Sequence, residues 1–475
     1  MRLVLTPMNS RQENNLYFIA LLMCCIGFVI MKLPVLNLPH FWDEAFPYSF
    51  AIGHLTENGP SILPSAVPPL YYTGHPLFYY FIQALWNSWM GETLWIQRLL
   101  PLFISMLSGI ALFSFGKQVI NPMVGLTAVI FLFCQDAWIA QSSFQLPETT
   151  VSLLFLLTML WILEKKRMLF LISSSLLLLT KEPTMVLLFA LWLYEWGTKK
   201  KPFHLESFIS LSKWYVLPVI IGLSFYVIQY FTYGWFLFPR HTGFMQGDLG
   251  FFSNQLSRYF EHLFLRSGRN VAFFVLLIGA IWIFFRRRKE NIRWPNTLFI
   301  FLPLGLFLLF SAFNFYSNRY ILVLHPLFAL ALSLVLYEVS QKRHLVLLGL
   351  VLVLSGITFW EGSKNRKPVD HSIGYADAVM VQQEAVDFCV AQEWQTKRIG
   401  CGFIMSKLLT DSSPRYVNNE DVFLSIERED FPKAEVLIIG NDTPELLTFQ
   451  EDNKYERLKR FEQHKAWIEV YVLKD

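Results

Sequence analysis

The chain has 475 residues, of which 54% are hydrophobic, 17% aromatic and only 16% charged, with a mean hydropathy of +0.40. Soluble proteins carry about 25% charged residues, and disordered, collagenous or disulfide-scaffold chains are polar, periodic or Cys-rich, so all of these classes are excluded. The formal net charge of +4 hides two opposing parts: residues 1–360 hold 25 Lys and Arg against 15 Asp and Glu, whereas residues 361–475 hold 15 against 21. This pattern predicts a polytopic α-helical membrane protein with an acidic, water-soluble tail that has no affinity for nucleic acid.

A bilayer core of about 30 Å needs about 20 mostly apolar residues per helix. Apolar runs lie near 16–34, 98–116, 121–140, 147–163, 168–181, 183–197, 214–233, 270–285, 297–313, 320–338 and 344–360, predicting about eleven transmembrane helices. The pair 168–181 and 183–197 is short for two spans. As one span it would place the cationic loops on alternating sides; as a hairpin it puts Lys165-Lys166-Arg167, Lys199-Lys200-Lys201, Arg286-Arg287-Arg288-Lys289 and Lys342-Arg343 on a single side. By the positive-inside rule that side is cytoplasmic, together with the N-terminus, and the tail is extracytoplasmic. The expected location is the plasma membrane, bacterial inner membrane in type. No A-x-A-like cleavage site follows the first segment, so it is expected to be retained.

The outer loops are unequal. The first, about 35–97, is rich in Pro, Tyr and Trp, and its segments 44–57 and 75–91 have the spacing of short interfacial helices. The second long loop, about 234–269, carries Arg240, His241, Arg258, Arg266 and Arg269. The division expected is 1–360 as the transmembrane part and 361–475 as a small extracytoplasmic α/β domain. Within the latter, 376–394 reads as a helix and 398–404, 435–440 and 466–473 as strands. Gly400-Cys401-Gly402 falls inside the first of these strands, so no dinucleotide fingerprint is expected there. Cys24, Cys25 and Cys134 read as small core residues. Cys389 and Cys401 either form a disulfide or are two separate buried thiols.

Asp43-Glu44 stand just beyond the first span, as a reactive carboxylate pair or as a helix cap. Glu148 follows Pro147 at the start of the fourth span, a place that suits a binding carboxylate and equally a dipole-favoured one. His75 is an anion or proton ligand, or a hydrogen-bonded interfacial residue. Lys181-Glu182 occupy a turn between very apolar segments, where charges tend to mark sites, although a local ion pair also accounts for them. Arg319-Tyr320 and Arg240-His241 lie in outer connections, where snorkelling to headgroups is the simpler account. Arg98 reads as an interfacial anchor, and Asp136 as an acid well inside a span. On the eleven-span topology, Asp43, Glu44, His75, Glu148, Lys181, Arg240 and Arg319 gather at one outer boundary. A coupled transporter would place such groups nearer the midplane. Acids and cations at a surface suit a reaction on a lipid headgroup with a phosphate leaving group.

These residues stand in short motifs: Trp42-Asp43-Glu44, Gly74-His75-Pro76-Leu77, Arg98-Leu99-Leu100-Pro101, Pro147-Glu148, Leu179-Thr180-Lys181-Glu182-Pro183, and Arg319-Tyr320-Ile321-Leu322 with Pro326. In order and placement, over about residues 30–330, they resemble the GT-C glycosyltransferases that use polyprenyl-phosphate sugars, the group of protein O-mannosyltransferases and the lipid A aminoarabinose transferase (glycosyltransferase family 39-like). The family often has His-Pro-Pro where Leu77 replaces the second Pro, and Asp where Glu148 stands.

The resemblance implies inverting transfer of a hexose or pentose from polyprenyl phosphate to a glycolipid, protein or cell-wall acceptor on the outer face. It makes Asp43 the base. Glu148 would hold acceptor or sugar or help set Asp43's protonation, and Glu44 joins the catalytic set. Lys181, Arg240 and Arg319, with His75, would meet the donor phosphate, and Tyr320 and His241 would touch substrate. No cofactor is expected, and a divalent metal is not favoured. The competing readings are a transporter or flippase of a lipid-linked saccharide, and a scaffold whose tail binds a partner.

Overall fold

The computed structural model describes residues 10–199, 204–243, 248–286, 294–428, 433–441, 443 and 454–474. The chain forms two compact units, one of Met1–Leu33, Leu102–Trp138 and Pro147–Glu361, the other of Pro34–Pro101, Ile139–Leu146 and Gly362–Asp475. Most of the first long loop therefore belongs to the same compact unit as the tail.

The first unit is helical. Among the described residues five helices are long and apolar enough to cross a membrane by length and composition: Asn15–Val35, Leu94–Val119, Leu205–Tyr233, Arg269–Arg286 and His344–Lys364. Shorter apolar helices cover Pro122–Phe133, Glu148–Leu163, Arg167–Leu178, Thr184–Gly197, Leu298–Ser311 and Leu324–Val339. Residues 168–197 thus make two helices with a turn at 179–183. Leu324–Val339 is buried without a break from Leu324 to Ser333, as an all-round apolar stretch must be.

Local chemistry sets the joints. Asn121 caps Pro122–Phe133 by accepting from Val124 N at 3.0 Å, with Pro122 at the first helical position. A Cβ on Gly116 would lie 2.6 Å from the Gly125 Cα, so the two helices of this hairpin approach backbone to backbone, as small residues allow in membrane helices. The run expected at 121–140 is broken: Pro122–Phe133 stops at Cys134, and a six-residue helix, Asp136–Gln141, follows. Asp136 therefore stands at a helix start, where the helix dipole favours a carboxylate, and not in the middle of one long helix. It accepts a hydrogen bond from Ser267 Oγ at 3.1 Å.

The second unit contains a five-stranded sheet built from β1 (Arg398–Cys401), β2 (Ser425–Glu427), β3 (Val436–Gly440), β4 (Tyr455–Gln463) and β5 (Ala466–Leu473), in the order β2-β1-β3-β5-β4. β1 pairs parallel with β2 and β3, and β5 pairs antiparallel with β3 and β4. β3 (Val-Leu-Ile-Ile-Gly) is buried throughout, which explains its unbroken apolar run. Helix Tyr375–Ala391 packs on β4 and β5. No disulfide joins Cys389 and Cys401, whose thiols are separately buried.

The strand expected at 398–404 ends early. Gly402 caps a helix, Phe403–Thr410, so the glycine pair does lead into a helix, contrary to the sequence expectation. A short apolar run such as Ile399–Met405 cannot distinguish strand from helix by periodicity. Met405 occupies the third glycine position of a dinucleotide fingerprint, and a Cβ on Gly402 would collide with Thr443.

In the same unit, helices Ser49–Asn58 and Phe78–Met90 pair with each other. The loop and the segment 139–146 are fastened to the tail: His40 N donates to Pro414 O at 3.0 Å, Gln141 Nε2 donates to Asp370 O at 2.6 Å, and Phe144 meets Tyr375 edge-on at 4.6 Å.

Candidate functional site

The turn carrying Asp43 and Glu44 has an unusual backbone. Trp42 adopts φ +54°, the left-handed region, which costs an L-residue about 1–2 kcal/mol. The conformation is held by Glu44, whose backbone N donates to Phe41 O at 3.0 Å while its Oε2 accepts from Phe41 N at 3.1 Å. The two adjacent carboxylates diverge in environment. Asp43 is partly exposed, whereas Glu44 is fully buried.

Glu44 is saturated. Oε2 also receives Arg98 Nη2 at 3.1 Å, Oε1 accepts from Gln145 N at 2.9 Å, and His40 Nδ1 lies 3.4 Å from Oε1. Burial opposes ionisation of Glu44, but Arg98 foremost, with His40, outweighs it and holds the carboxyl below the usual range. Burial pushes His40 the other way, toward the neutral imidazole.

Arg98 is not an interfacial anchor. It is fully buried, and its guanidinium also donates to Leu38 O (3.1 Å), Pro39 O (2.8 Å) and Ser143 O (3.1 Å). A planar fork of donors satisfies several fixed acceptors in a way that a lysine cannot. The network extends through Gln145 Nε2 to Gln97 Oε1 at 2.8 Å, and through Gln83 Nε2 to Gln97 O and Asn87 Oδ1, both at 3.0 Å. His75 is buried in this unit. Sequence reasoning missed His40, Gln83, Gln97 and Gln145. The available signal was Gln83 and Asn87, four residues apart in the aromatic helix Phe78–Met90, a polar stripe on a face otherwise fit for burial.

In the helical unit a second cluster forms from three separate segments. Glu148 opens helix Glu148–Leu163, Lys181 sits in the turn before Thr184–Gly197, and Arg319 lies in the short 3₁₀ turn Asn318–Ile321. Lys181 Nζ donates to Glu148 Oε1 at 2.7 Å, and Arg319 Nε lies 3.3 Å from the same oxygen. Thr184 Oγ1 donates to Lys181 O at 2.7 Å and fixes the turn. Tyr320 presents its ring 4.0 Å from the Lys181 ammonium and 5.4 Å from the Arg319 guanidinium. All three charged side chains are buried, so Arg319 does not snorkel and Lys181 does not pair locally with Glu182. Buried charges are tolerated when paired and hydrogen-bonded. Here one carboxylate oxygen meets two cations beside an aromatic wall.

Glu148, Lys181, Arg319 and Tyr320 are thus brought together. Arg240 is exposed on the short helix Pro239–Gly243, and the side chain of His241 lies outside the described residues. Asp43, Glu44 and His75 belong to the other compact unit.

The chain matches no protein-family model and no curated protein by sequence. Its fold matches solved structures over nearly its full length. Against ArnT from Cupriavidus metallidurans bound to undecaprenyl phosphate, the TM-score is 0.55 at 12% identity, covering 97% of this chain and 98% of that one. Against the oligosaccharyltransferase AglB from Archaeoglobus fulgidus, in complex with an inhibitory peptide and a dolichol-phosphate, the TM-score is 0.53 at 9% identity, covering 96% of this chain and 74% of that one. The chain therefore shares the fold of these solved structures, in keeping with the resemblance carried by the motifs.

Proposed function

We propose that this chain is an inverting glycosyltransferase of the plasma membrane that moves a sugar from a polyprenyl-phosphate donor to an acceptor on the extracytoplasmic face. The observation that carries the reading is the shared carboxylate of Lys181 and Arg319: two buried cations meeting one acid beside Tyr320. Two cations held in a low-dielectric setting suit a leaving group that becomes anionic as its bond breaks. The GT-C fold and the partly exposed Asp43 on a strained turn support the same reading.

In the proposed reaction, Asp43 takes the proton from the acceptor hydroxyl or amine. The freed lone pair attacks the anomeric carbon opposite the phosphate, the C1–O bond breaks with its electrons staying on the phosphate oxygen, and inversion results. Lys181 and Arg319 stabilise the polyprenyl phosphate as its charge develops, and Glu148 holds both cations in place between turnovers. Arg240 and His75 are further donor contacts, and Tyr320 and His241 substrate contacts. Glu44 is best cast as a positioning residue: its oxygens are engaged by Phe41, Arg98 and Gln145, and it holds the turn that presents Asp43. The reaction is proposed to need no resident metal.

Incubation of the purified protein with polyprenyl-linked labelled sugar tests this directly. Release of free polyprenyl phosphate together with a labelled acceptor is expected. Passage of intact donor across a bilayer, with no bond cleaved, would instead make the chain a flippase.

A further inference from the structure

Most arginines of the second unit lie against a carboxylate: Arg366 against Asp377, Arg398 against Glu435, Arg415 against Glu92, and Arg457 and Arg460 against Glu469. Lys407 and Arg428 differ. Among the described residues neither makes an ion pair, and Asp411, the acid nearest Lys407 in sequence, accepts a hydrogen bond from Ser413 N at 2.8 Å. Both cations instead gather on one ring. Arg428 lies 5.8 Å and Lys407 5.9 Å from the centre of Phe403, and Lys407 also stands 4.5 Å from the Phe46 ring. Phe46 and Phe403 meet edge-on at 5.7 Å.

This places a tail helix on the reactive turn. Phe46 N donates to Trp42 O at 3.1 Å, so the ring under Lys407 belongs to the same turn as Asp43. Two like charges sharing an aromatic neighbour repel each other, an arrangement relieved by an anion placed between them. Phe403 is 49% exposed, leaving a flat apolar face beside the charges. A cation pair beside an exposed aromatic ring matches a sugar ring that carries an acidic group.

We infer that Phe403, Lys407 and Arg428 form an acceptor subsite for an acidic saccharide, the ring lying on the exposed Phe403 and its phosphate or carboxylate held by the two cations. This rests on the transferase reading above and names its acceptor class: an acidic sugar, with the C-terminal unit contributing directly to its selection.

The test uses the full chain in phosphatidylcholine nanodiscs and equilibrium dialysis of labelled glucose, glucuronate, glucose 6-phosphate, inorganic phosphate and hexa-aspartate. Glucuronate and glucose 6-phosphate are expected to bind at least tenfold more tightly than glucose, phosphate or the peptide. The doubly substituted Lys407→Gln, Arg428→Gln protein should lose that preference, and Lys407→Arg should keep it. Equal binding of glucose and its acidic counterparts overturns the inference, as does a preference that survives the double substitution. Binding of phosphate or hexa-aspartate as tight as that of the acidic sugars also overturns it, because charge alone would then suffice. Loss of the preference in phosphatidylglycerol nanodiscs would assign the cations to lipid headgroups instead. Binding of undecaprenyl phosphate to the unsubstituted protein is measured in parallel. Its absence would remove the transferase reading itself, whereas its presence with no sugar preference removes only the acceptor subsite.

Discussion

Arg98 Nη2 and Glu44 Oε2 lie 3.1 Å apart, and neither side chain is exposed to solvent. The pair joins the start of helix Leu94–Val119 to the turn that bears Asp43, and the remaining Arg98 donors tie in Leu38, Pro39 and Ser143. Replacing Arg98 by Ala would strand a buried carboxylate and three backbone carbonyls. Breaking a buried pair typically costs about 3–5 kcal/mol. The expected result is loss of that order in the stability of the second unit, read by denaturant titration of intrinsic fluorescence. Arg98→Lys should recover only part of it, because an ammonium cannot span the same acceptors.

The same network sets an acid limit. Glu44 is held below its ordinary range, so its contribution is fully present above about pH 4.3, the unperturbed glutamate value, and is lost as pH falls through its lower folded value. His40 is also depressed. Below about pH 6.5 the unfolded chain takes up a proton that the folded imidazole refuses, so stability falls as pH drops through that window. Two steps of acid destabilisation are expected in a pH series of melting temperatures. His40→Gln should remove the upper step alone; an unchanged upper step would take His40 out of the account.

Asp43→Asn keeps the turn, since the amide is isosteric and Glu44 still locks Phe41. General-base catalysis contributes roughly 10²–10⁴-fold, and transfer should fall by that factor while the protein elutes and melts as the wild type does. Near-normal transfer in this variant would sink the base assignment.

Lys181 and Arg319 should matter more for the donor than for the acceptor. Hydrogen bonds to charged groups contribute about 1.5–3 kcal/mol, equivalent to a roughly ten- to hundredfold rise in the Kd for undecaprenyl phosphate on replacing either by Ala. Equal weakening of donor and acceptor binding would count against a phosphate role.

Among the described residues no three His, Cys, Asp or Glu side chains gather as metal ligands. Transfer is expected to proceed at an unchanged rate after dialysis against EDTA. A loss restored by added Mg²⁺ or Mn²⁺ would require a metal in the mechanism.

Much of the helical framework was legible because apolar runs of bilayer length have few structural alternatives, and each expected run does contain a helix. The tail was legible in part. Helix 376–394 and the strands near 436–440 and 466–473 carry strong apolar patterns and recur at Tyr375–Ala391, β3 and β5. β4 and β2 escaped notice because β4 is an edge strand, charged along much of its length, and β2 has three residues. The strand expected at 398–404 overran the start of helix Phe403–Thr410, which carries the Lys407 now placed beside Phe46.

What the sequence determined by itself was the membrane class, the helical runs and the identity of the charged residues worth attention. Those follow from local composition, which the chain carries wherever it folds. Only tertiary structure decided which charges meet. Glu148, Lys181 and Arg319 are far apart in the chain, and their convergence on one oxygen depends on how three helix ends are stacked. Tertiary structure likewise separated Asp43 from Glu44: neighbours with the same charge, one is partly exposed and the other buried under Arg98. Burial and partners are properties of the packed state, and no spacing rule along the chain encodes them.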